Sequence, residues 1–466
     1  MATNKTIYTC SACGAQHPKW GGKCSTCGSW NTLEEGTQIV AKGKANPARS
    51  SAFQGLGHGL TPIDLRTKEP PPVRVSTTMP ECDRVLGGGL VEGSVVLLAG
   101  DPGAGKSTLL MQILAALSKD RTVLYASGEE SANQIQMRAE RLGVADSAVQ
   151  LITSNDAIGI AGVMERLPRG SIVAIDSLHA MDCGADSAPG SVAQVKAASA
   201  LFVPLAKSRG ITTLLINHVT KEGAFAGPQL LRHAVDVSLM LQNDTSQGYM
   251  RVLRADKNRF GADDEVGLFD MTAEGLAPID NPSAFFLEQR ASDAFGTAIF
   301  AAMEGTRPMM VEVQALVTPS LFGTGRRQTS GWETPRMHML LATIQARLGF
   351  DFADKDVYVN VAGGMRITDP GMDTAAALAI ISAYLQRPLR PEIAAFGEIG
   401  LAGEVRAVMR PESRLKEAVG MEFSTILCPT FRKGTPKEFR EQALHIDRLA
   451  RVLPMLDRLF LPPVSV

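Results

Sequence analysis

Val95-Val96-Leu97-Leu98-Ala99 runs straight into Gly100-Asp101-Pro102-Gly103-Ala104-Gly105-Lys106-Ser107-Thr108. Five apolar residues in a row suit a strand buried on both faces. Gly100 to Ser107 fits G-x-x-x-x-G-K-[ST], and apolar residues at helical spacing follow to Ser118. Strand, glycine-rich loop and helix in that order make a phosphate cradle. The glycines let backbone N–H groups turn inward onto phosphate oxygens, and the helix N-terminus adds partial positive charge. Lys106 is expected to neutralise the β- and γ-phosphates of ATP, and Ser107 to hold Mg²⁺.

Outward from this loop, Thr122–Ala126, Ile172–Ile175 and Thr212–Ile216 are further short apolar runs. They alternate with helical stretches at Lys106–Ser118, Ser131–Leu142 and Ser191–Ser208. The alternation predicts an α/β domain over residues 76–280, with a parallel sheet and right-handed crossovers. Its last part, Val235–Met271, reads as strands joined by turns.

Three strand ends carry chemistry. Ile172–Ile175 ends in Asp176, a carboxylate expected at the sheet edge near Mg²⁺. Thr122–Ala126 runs into Ser127-Gly128-Glu129-Glu130-Ser131. Glu129, just past the strand, can orient and deprotonate an attacking water, with Glu130 as the second candidate. Acids here could equally serve the dipole of the next helix. Thr212–Ile216 leads to Asn217 and His218, and His218 is either a γ-phosphate sensor or scaffold.

Of seven cysteines, four form two C-x₂-C knuckles, Cys10/Cys13 and Cys24/Cys27, with Gly14 and Gly28 following. Four thiolates suit a closed, structural, tetrahedral Zn²⁺ site in a ribbon over residues 1–32. So small a module has little core, and zinc would supply roughly 10–16 kcal/mol of its folding energy. Nothing nearby resembles a redox βαβ unit. Lys19, Trp20 and Lys23 could touch a partner or shield the metal. Cys82, Cys183 and Cys428 read as small buried hydrophobes.

Residues 33–75 are expected to be a basic, flexible linker, which from Gln38 to Val75 carries Lys42, Lys44, Arg49, Arg66, Lys68 and Arg74 against Asp64 and Glu69. The 466-residue chain is 45% hydrophobic and 20% charged, which is globular composition. Its net charge of −1 supplies no general field for nucleic acid, so any such contact must be local. No apolar run reaches the ~18–20 residues that cross a membrane, and Met1–Tyr8 is no signal peptide. A cytoplasmic protein is expected.

Leu86-Gly87-Gly88-Gly89, the phosphate loop, Ser127–Ser131 and Lys257-Asn258-Arg259-Phe260-Gly261 occur in that order behind the cysteine cluster. From Tyr8 to its C-terminal region the chain resembles the bacterial RadA (Sms) family of RecA-like DNA-repair ATPases. The resemblance implies a DNA-dependent ATPase that works as a homo-hexameric ring in homologous recombination. It would drive branch migration on single-stranded and branched DNA, together with RecA. It also implies that Lys257 and Arg259 serve DNA binding and coupled ATPase function. A Lys and an Arg two apart on a strand share a face, so both could reach a phosphate across a subunit boundary. In RecA-like folds the loops 177–192 and 218–229 face a central channel.

Residues 281–466 read as a second α/β domain. Its stretch from Val359 to Cys428 resembles the proteolytic domain of Lon, on Leu385-Gln386-Arg387-Pro388 and Gly397–Val405. That domain uses a Ser–Lys dyad. Alignment on Arg387-Pro388 puts the serine at Gly371–Met372, and no serine lies between Asp369 and Ala379. The lysine falls on Glu412, or on Lys416 after a short insertion. A Lon-like domain without peptidase activity is expected, serving as a platform for assembly and DNA binding. The rival reading is a KaiC-like regulatory ring ATPase that acts on protein partners without DNA. It shares Leu-Gly-Gly-Gly and the phosphate loop but accounts for neither the ribbon nor Lys257–Gly261.

Overall fold

The computed structural model describes residues 3–10, 16–17, 19–25, 28–40, 71–184, 191–218, 229–243, 250–288, 290–291, 293–320, 325–431 and 434–463. The chain divides into two compact units, Met1–Pro71 and Pro72–Val466.

In the first unit Thr3–Cys10 is the central strand, antiparallel to Gln16–His17 and to Leu33–Val40. The register sets Tyr8 opposite His17 and Cys10 opposite Leu33. Leu33–Val40 falls within the stretch read as linker, yet it pairs with Thr3–Cys10 along its whole length. Cys24 and Leu33 make a small core against Tyr8. The second knuckle closes through Gly28 N–H to Cys24 O (2.9 Å) and Cys24 N–H to Ser29 O (2.9 Å). Residues 41–70 of the linker lie outside the described residues.

The second unit holds two large sheets. The first runs in the order Gly275–Pro278, Val266–Thr272, Met250–Asn258, Val237–Asn243, Val95–Gly100, Thr212–His218, Ile172–Asp176, Val123–Ser127, Gln150–Thr153. The six strands from Val237–Asn243 to Gln150–Thr153 are parallel, and Met250–Asn258 begins an antiparallel edge. Strand residues alternate between two cores, as their two-residue period requires. Val96, Leu98, Val123 and Ile172 pack with helix Lys106–Leu117 on one face. Val95, Leu97, Leu124 and Val173 pack with helices Ala157–Met164 and Val192–Arg209 on the other. This is the expected RecA-like core. The parallel strands that lead to Gly100, Glu129, Asp176 and His218 all end at one sheet edge, whereas antiparallel Met250–Asn258 brings Lys257–Gly261 to the opposite one.

The second sheet runs Arg327–Ser330, Lys355–Val361, Arg307–Pro319, Thr297–Glu304, Ile393–Ala395, Thr425–Cys428, Ala443–His445. Helix Asp373–Leu385 is buried from Asp373 to Ala383, which its apolar sequence on every side explains. Helices Thr334–Leu348 and Pro411–Gly420 also lie in this domain. The two sheets share a core, because Met250, Val252, Val266 and Leu268 join the C-terminal cluster. The hairpin turn at Gly305 docks on the domain that carries the first sheet. Thr306 N–H donates to Asp264 O (3.2 Å), and Arg307 pairs with Glu81 with both side chains buried.

Cys82 and Cys428 are buried, and burial raises both thiols, Cys428 to about 12. They are inert packing residues, whereas Cys183 is only partly buried. Among the described residues no helix is long and apolar enough to cross a membrane.

Candidate nucleotide site and its surroundings

The phosphate loop leaves strand Val95–Gly100 at a point where only glycine fits. A Cβ on Gly100 would run into the Leu241 carbonyl, and one on Gly105 would sit 2.6 Å from Met271 Cε. Helix Lys106–Leu117 then starts with Leu109 N–H donating to Gly105 O (2.8 Å). Lys106 is 5% exposed, and its ammonium donates to Gly100 O (2.8 Å) and Asp101 O (2.9 Å). Burial lowers its pKa, against the pull of Asp176, Asp101 and Glu129.

Ser107 Oγ–H donates to Asp176 Oδ2 at 2.6 Å, and buried Tyr125 donates its hydroxyl to the same oxygen at 2.6 Å. Burial and then Asp176 hold the Tyr125 phenol well above its ordinary pKa, so it stays a donor. A hydroxyl and a carboxylate facing each other beside the phosphate cradle are the hard oxygen ligands Mg²⁺ takes, so the residues fit that ion. The adjoining cleft has a volume of about 650 Å³, within the usual range for a small-molecule site. Gly103, Gly105, Lys106, Ser107, Thr108 and Arg251 are among its lining residues. Arg251 is buried and donates Nε–H to Ala104 O (3.1 Å), bracing the loop from strand Met250–Asn258.

The two adjacent acids part company. Glu129 accepts the Ser177 hydroxyl, next in chain to Asp176. Glu130 turns the other way into a two-pronged pair with Arg138, one bond at 2.7 Å. Arg138, on helix Ala132–Arg141, had no sequence signal because its partner precedes its own helix. Strand register puts His218 opposite Gly100 and Asn217 opposite Ala99. The His218 side chain lies outside the described residues. Asn217 is fully buried, and neither of its amide atoms has a hydrogen-bond partner among them. Of the two loops expected at a channel, 185–190 and 219–228 are likewise outside.

Lys257-Asn258-Arg259-Phe260-Gly261 is a fastening point. Lys257 donates to the carbonyls of Arg232 (2.7 Å), Val235 (2.7 Å) and His233 (3.3 Å). It thereby caps the negative end of helix Gln229–Ala234. Burial lowers its pKa, and neighbouring Arg259 lowers it further. Arg259 pairs with Asp236 (3.0 Å), which also takes Lys207 (2.9 Å) and the Val95 N–H (3.1 Å). Asn258 donates to Val85 O (3.2 Å). Phe260 O accepts from Arg74 (2.6 Å), a residue read as the end of the linker. Gly261 packs against Gly87, so Leu86–Gly89 and Lys257–Gly261 touch. The strand ends at Asn258, so Arg259 lies just past it, yet both cations meet the chain's own turn Arg232–Asp236. Sequence reading missed Asp236, whose single signal was a charge wedged between apolar Val235 and Val237.

In the C-terminal domain the Lon serine is expected to align at Gly371–Met372, where no hydroxyl stands. A Cβ on Gly371 would lie 3.2 Å from the Arg414 guanidinium. Glu412 and Lys416, the two positions considered for the lysine, are both exposed. The cation beside Gly371 is Arg414. It is 1% exposed, bonded to Asp369 Oδ2 (2.6 Å), Ala301 O (2.6 Å) and Met409 O (3.0 Å). Its guanidinium stands 5.7 Å from the ring centroids of Phe300 and Phe396. A guanidinium does not give up its proton in proteins and cannot activate a nucleophile.

Of the four knuckle cysteines, Cys24 alone has a described side chain. It is 1% exposed, at the head of a turn whose N–H and C=O groups are paired. A buried sulfur in a closed knuckle, within a set of four thiolates, fits structural zinc.

Three parts of the chain match known families. Residues 8–35 match a rubredoxin metal-binding domain, residues 65–224 an AAA domain, and residues 335–431 the subunit ChlI of Mg-chelatase. The DNA repair protein RadA of Bacillus subtilis is 42% identical over 433 residues, covering 92% of this chain and 93% of that protein. The DNA repair protein RadA of Escherichia coli is 39% identical over 462 residues, covering 98% and 99%. Among solved structures, the RadB recombinase aligns with 44% of this chain and 99% of its own at 22% identity and a TM-score of 0.37.

Proposed function

The chain belongs to the RadA family of DNA repair proteins, and from that premise we propose that it is a DNA-dependent ATPase of homologous recombination. It works as a homo-hexameric ring in the cytoplasm, translocating on single-stranded and branched DNA to drive branch migration with RecA. The observation that carries the ATPase reading is the Ser107–Asp176 contact at 2.6 Å beside the Lys106 ammonium.

In this reading the loop N–H groups from Gly103 to Ser107 hold the phosphates. Lys106 exchanges its carbonyl partners for β- and γ-phosphate oxygens. Ser107 and Asp176 hold Mg²⁺, which when bound offsets phosphate charge. Glu129 takes the proton of the attacking water, aimed by the Ser177 hydroxyl. The Glu130–Arg138 pair supports this division, since an acid held in a two-pronged ion pair is a poor base. Lys257 and Arg259 act by holding helix Gln229–Ala234, which begins at the end of the loop 218–229 read as channel-facing. DNA at that loop would thus be felt at Asp236 and, through its bond to Val95, at the strand that leads into the phosphate loop. Cys10, Cys13, Cys24 and Cys27 bind Zn²⁺, and the Lon-like domain acts without peptidase chemistry.

The pairing of Lys257 and Arg259 with carbonyls and a carboxylate of their own chain is the one observation that favours a KaiC-like regulatory ring, which needs no cations for DNA. ATP hydrolysis by the purified protein, with and without single-stranded DNA, separates the two. Stimulation by DNA that vanishes in Lys106→Ala supports the motor. Hydrolysis that needs Lys106 yet ignores DNA would transfer the reading to the regulatory ring.

A further inference from the structure

The short strand Gln16–His17 pairs with Tyr8–Thr9, and this register carries the His17 ring to the second knuckle. His17 Nε2 lies 3.3 Å from Cys24 Sγ. On the other side of the ring Ser25 Oγ lies 3.4 Å from Nδ1. The sulfur is buried, while Ser25 is exposed at the rim.

The chemistry of a metal-bound cysteine fixes the direction of these contacts. A ligating cysteine is a thiolate and has no proton to give. The contact at 3.3 Å must then be an N–H···S bond with His17 as donor. A hydroxyl can donate to Nδ1, which leaves the ring proton on Nε2, where the sulfur needs it. Four thiolates around a divalent ion also leave surplus negative charge, and a donor aimed at one sulfur relieves part of it. Donation requires no change in the protonation of the ring.

We propose that His17 is a positioning residue of the metal site, orienting Cys24 through Nε2–H···Sγ while Ser25 sets its tautomer. The proposal rests on the reading of Cys10, Cys13, Cys24 and Cys27 as zinc ligands. It gives the two-residue strand a purpose, which is to hold a ring against the knuckle. The competing arrangement makes His17 a ligand that replaces one cysteine.

The test uses the full-length zinc-loaded protein. Zinc is titrated away with a chromophoric chelator from wild type, His17→Ala, His17→Gln and Ser25→Ala. Losing an outer-shell partner of a metal ligand costs about 10–100-fold in affinity. His17→Ala should therefore still bind one zinc but weaken by about that factor, with His17→Gln partly restored because its amide N–H can reach the sulfur. Ser25→Ala should show a smaller loss. Cobalt(II) substitution supplies the second readout, and the thiolate charge-transfer bands of wild type and His17→Ala should coincide. Equal zinc affinity in wild type and His17→Ala overturns the proposal, as does a cobalt spectrum that gains a sulfur ligand or loses a nitrogen one in the variant. Wild type that holds no metal overturns the zinc reading itself and this inference with it.

Discussion

Lys106 and Arg414 are both buried cations set against a glycine-containing turn beside a helix, one in each large domain. Their surroundings differ in kind. Lys106 is held by two carbonyls of its own loop, at 2.8 and 2.9 Å. Such neutral acceptors can be exchanged for a charged phosphate oxygen, which bonds an ammonium more strongly. Arg414 is held by a carboxylate, two carbonyls from other segments and two aromatic rings. Any ligand that displaced these partners would leave Asp369 uncompensated. One cation is available for transfer to a substrate. The other joins Ala301, Asp369 and Met409 into one piece. A buried charge therefore says little until its partners are known to be replaceable.

The sharpest way to break this contrast is to remove each cation in turn. Lys106→Ala should reduce ATP hydrolysis by about 10³-fold or more, the scale of losing a cation from a phosphoryl-transfer transition state. Its urea midpoint should barely move, and a large loss of stability would put Lys106 in the same class as Arg414. Arg414→Met should do the reverse and destabilise the C-terminal domain by roughly 3–5 kcal/mol in chemical denaturation. Hydrolysis per folded molecule should be unchanged, and casein should stay intact with ATP and Mg²⁺ in wild type and variant alike. Arg414→Lys should not restore the stability, because one ammonium cannot replace the planar fork.

Smaller changes sharpen the same distinction between replaceable and fixed partners. Glu129→Gln should slow hydrolysis about 100-fold with nucleotide still bound, the scale of a lost general base. Glu130→Gln should cost less than about tenfold, acting through the loosened Arg138. An equal effect of the two would remove the division of labour assigned here. Lys257→Ala should leave basal hydrolysis within about twofold and abolish the part stimulated by DNA, since a helix cap is worth only ~1 kcal/mol. Full stimulation in that variant would sink the role given to helix Gln229–Ala234.

The nucleotide site was legible because its parts are local. Gly100 to Thr108 is one continuous turn, and Glu129 and Asp176 each follow a run of buried strand residues. The Lon-like domain was legible in outline for the same reason, since the sequence suggests helices at Pro335–Arg347, Thr374–Gln386 and Glu412–Val419, and the structure has them at Thr334–Leu348, Asp373–Leu385 and Pro411–Gly420. What was hidden depends on partners distant in sequence. Arg414 faces Ala301 and Asp369, Arg251 faces Ala104, and Tyr125 reaches Asp176. Side-chain type and spacing carry no trace of such pairs. Leu33–Val40 was hidden for another reason. Glu34-Glu35-Gly36-Thr37-Gln38 has no apolar alternation, because a ribbon with no large core behind it need not bury one face. Lys257 and Arg259 were located as a motif, but which way they turn depends on the position of Asp236.

Strand Met250–Asn258 is bound at three points to three different parts of the protein. Arg251 meets the phosphate loop, Arg254 pairs with Glu304 of the C-terminal hairpin, and Lys257 holds the helix after the loop 219–228. The strand thus works as a ruler. Replacing any one of these residues cuts one connection and leaves the others in register. Deleting a single residue between Arg251 and Arg254 would leave Lys257 and Arg254 in place but throw Arg251 onto the opposite face, disconnecting ATP from everything downstream while keeping every side chain involved.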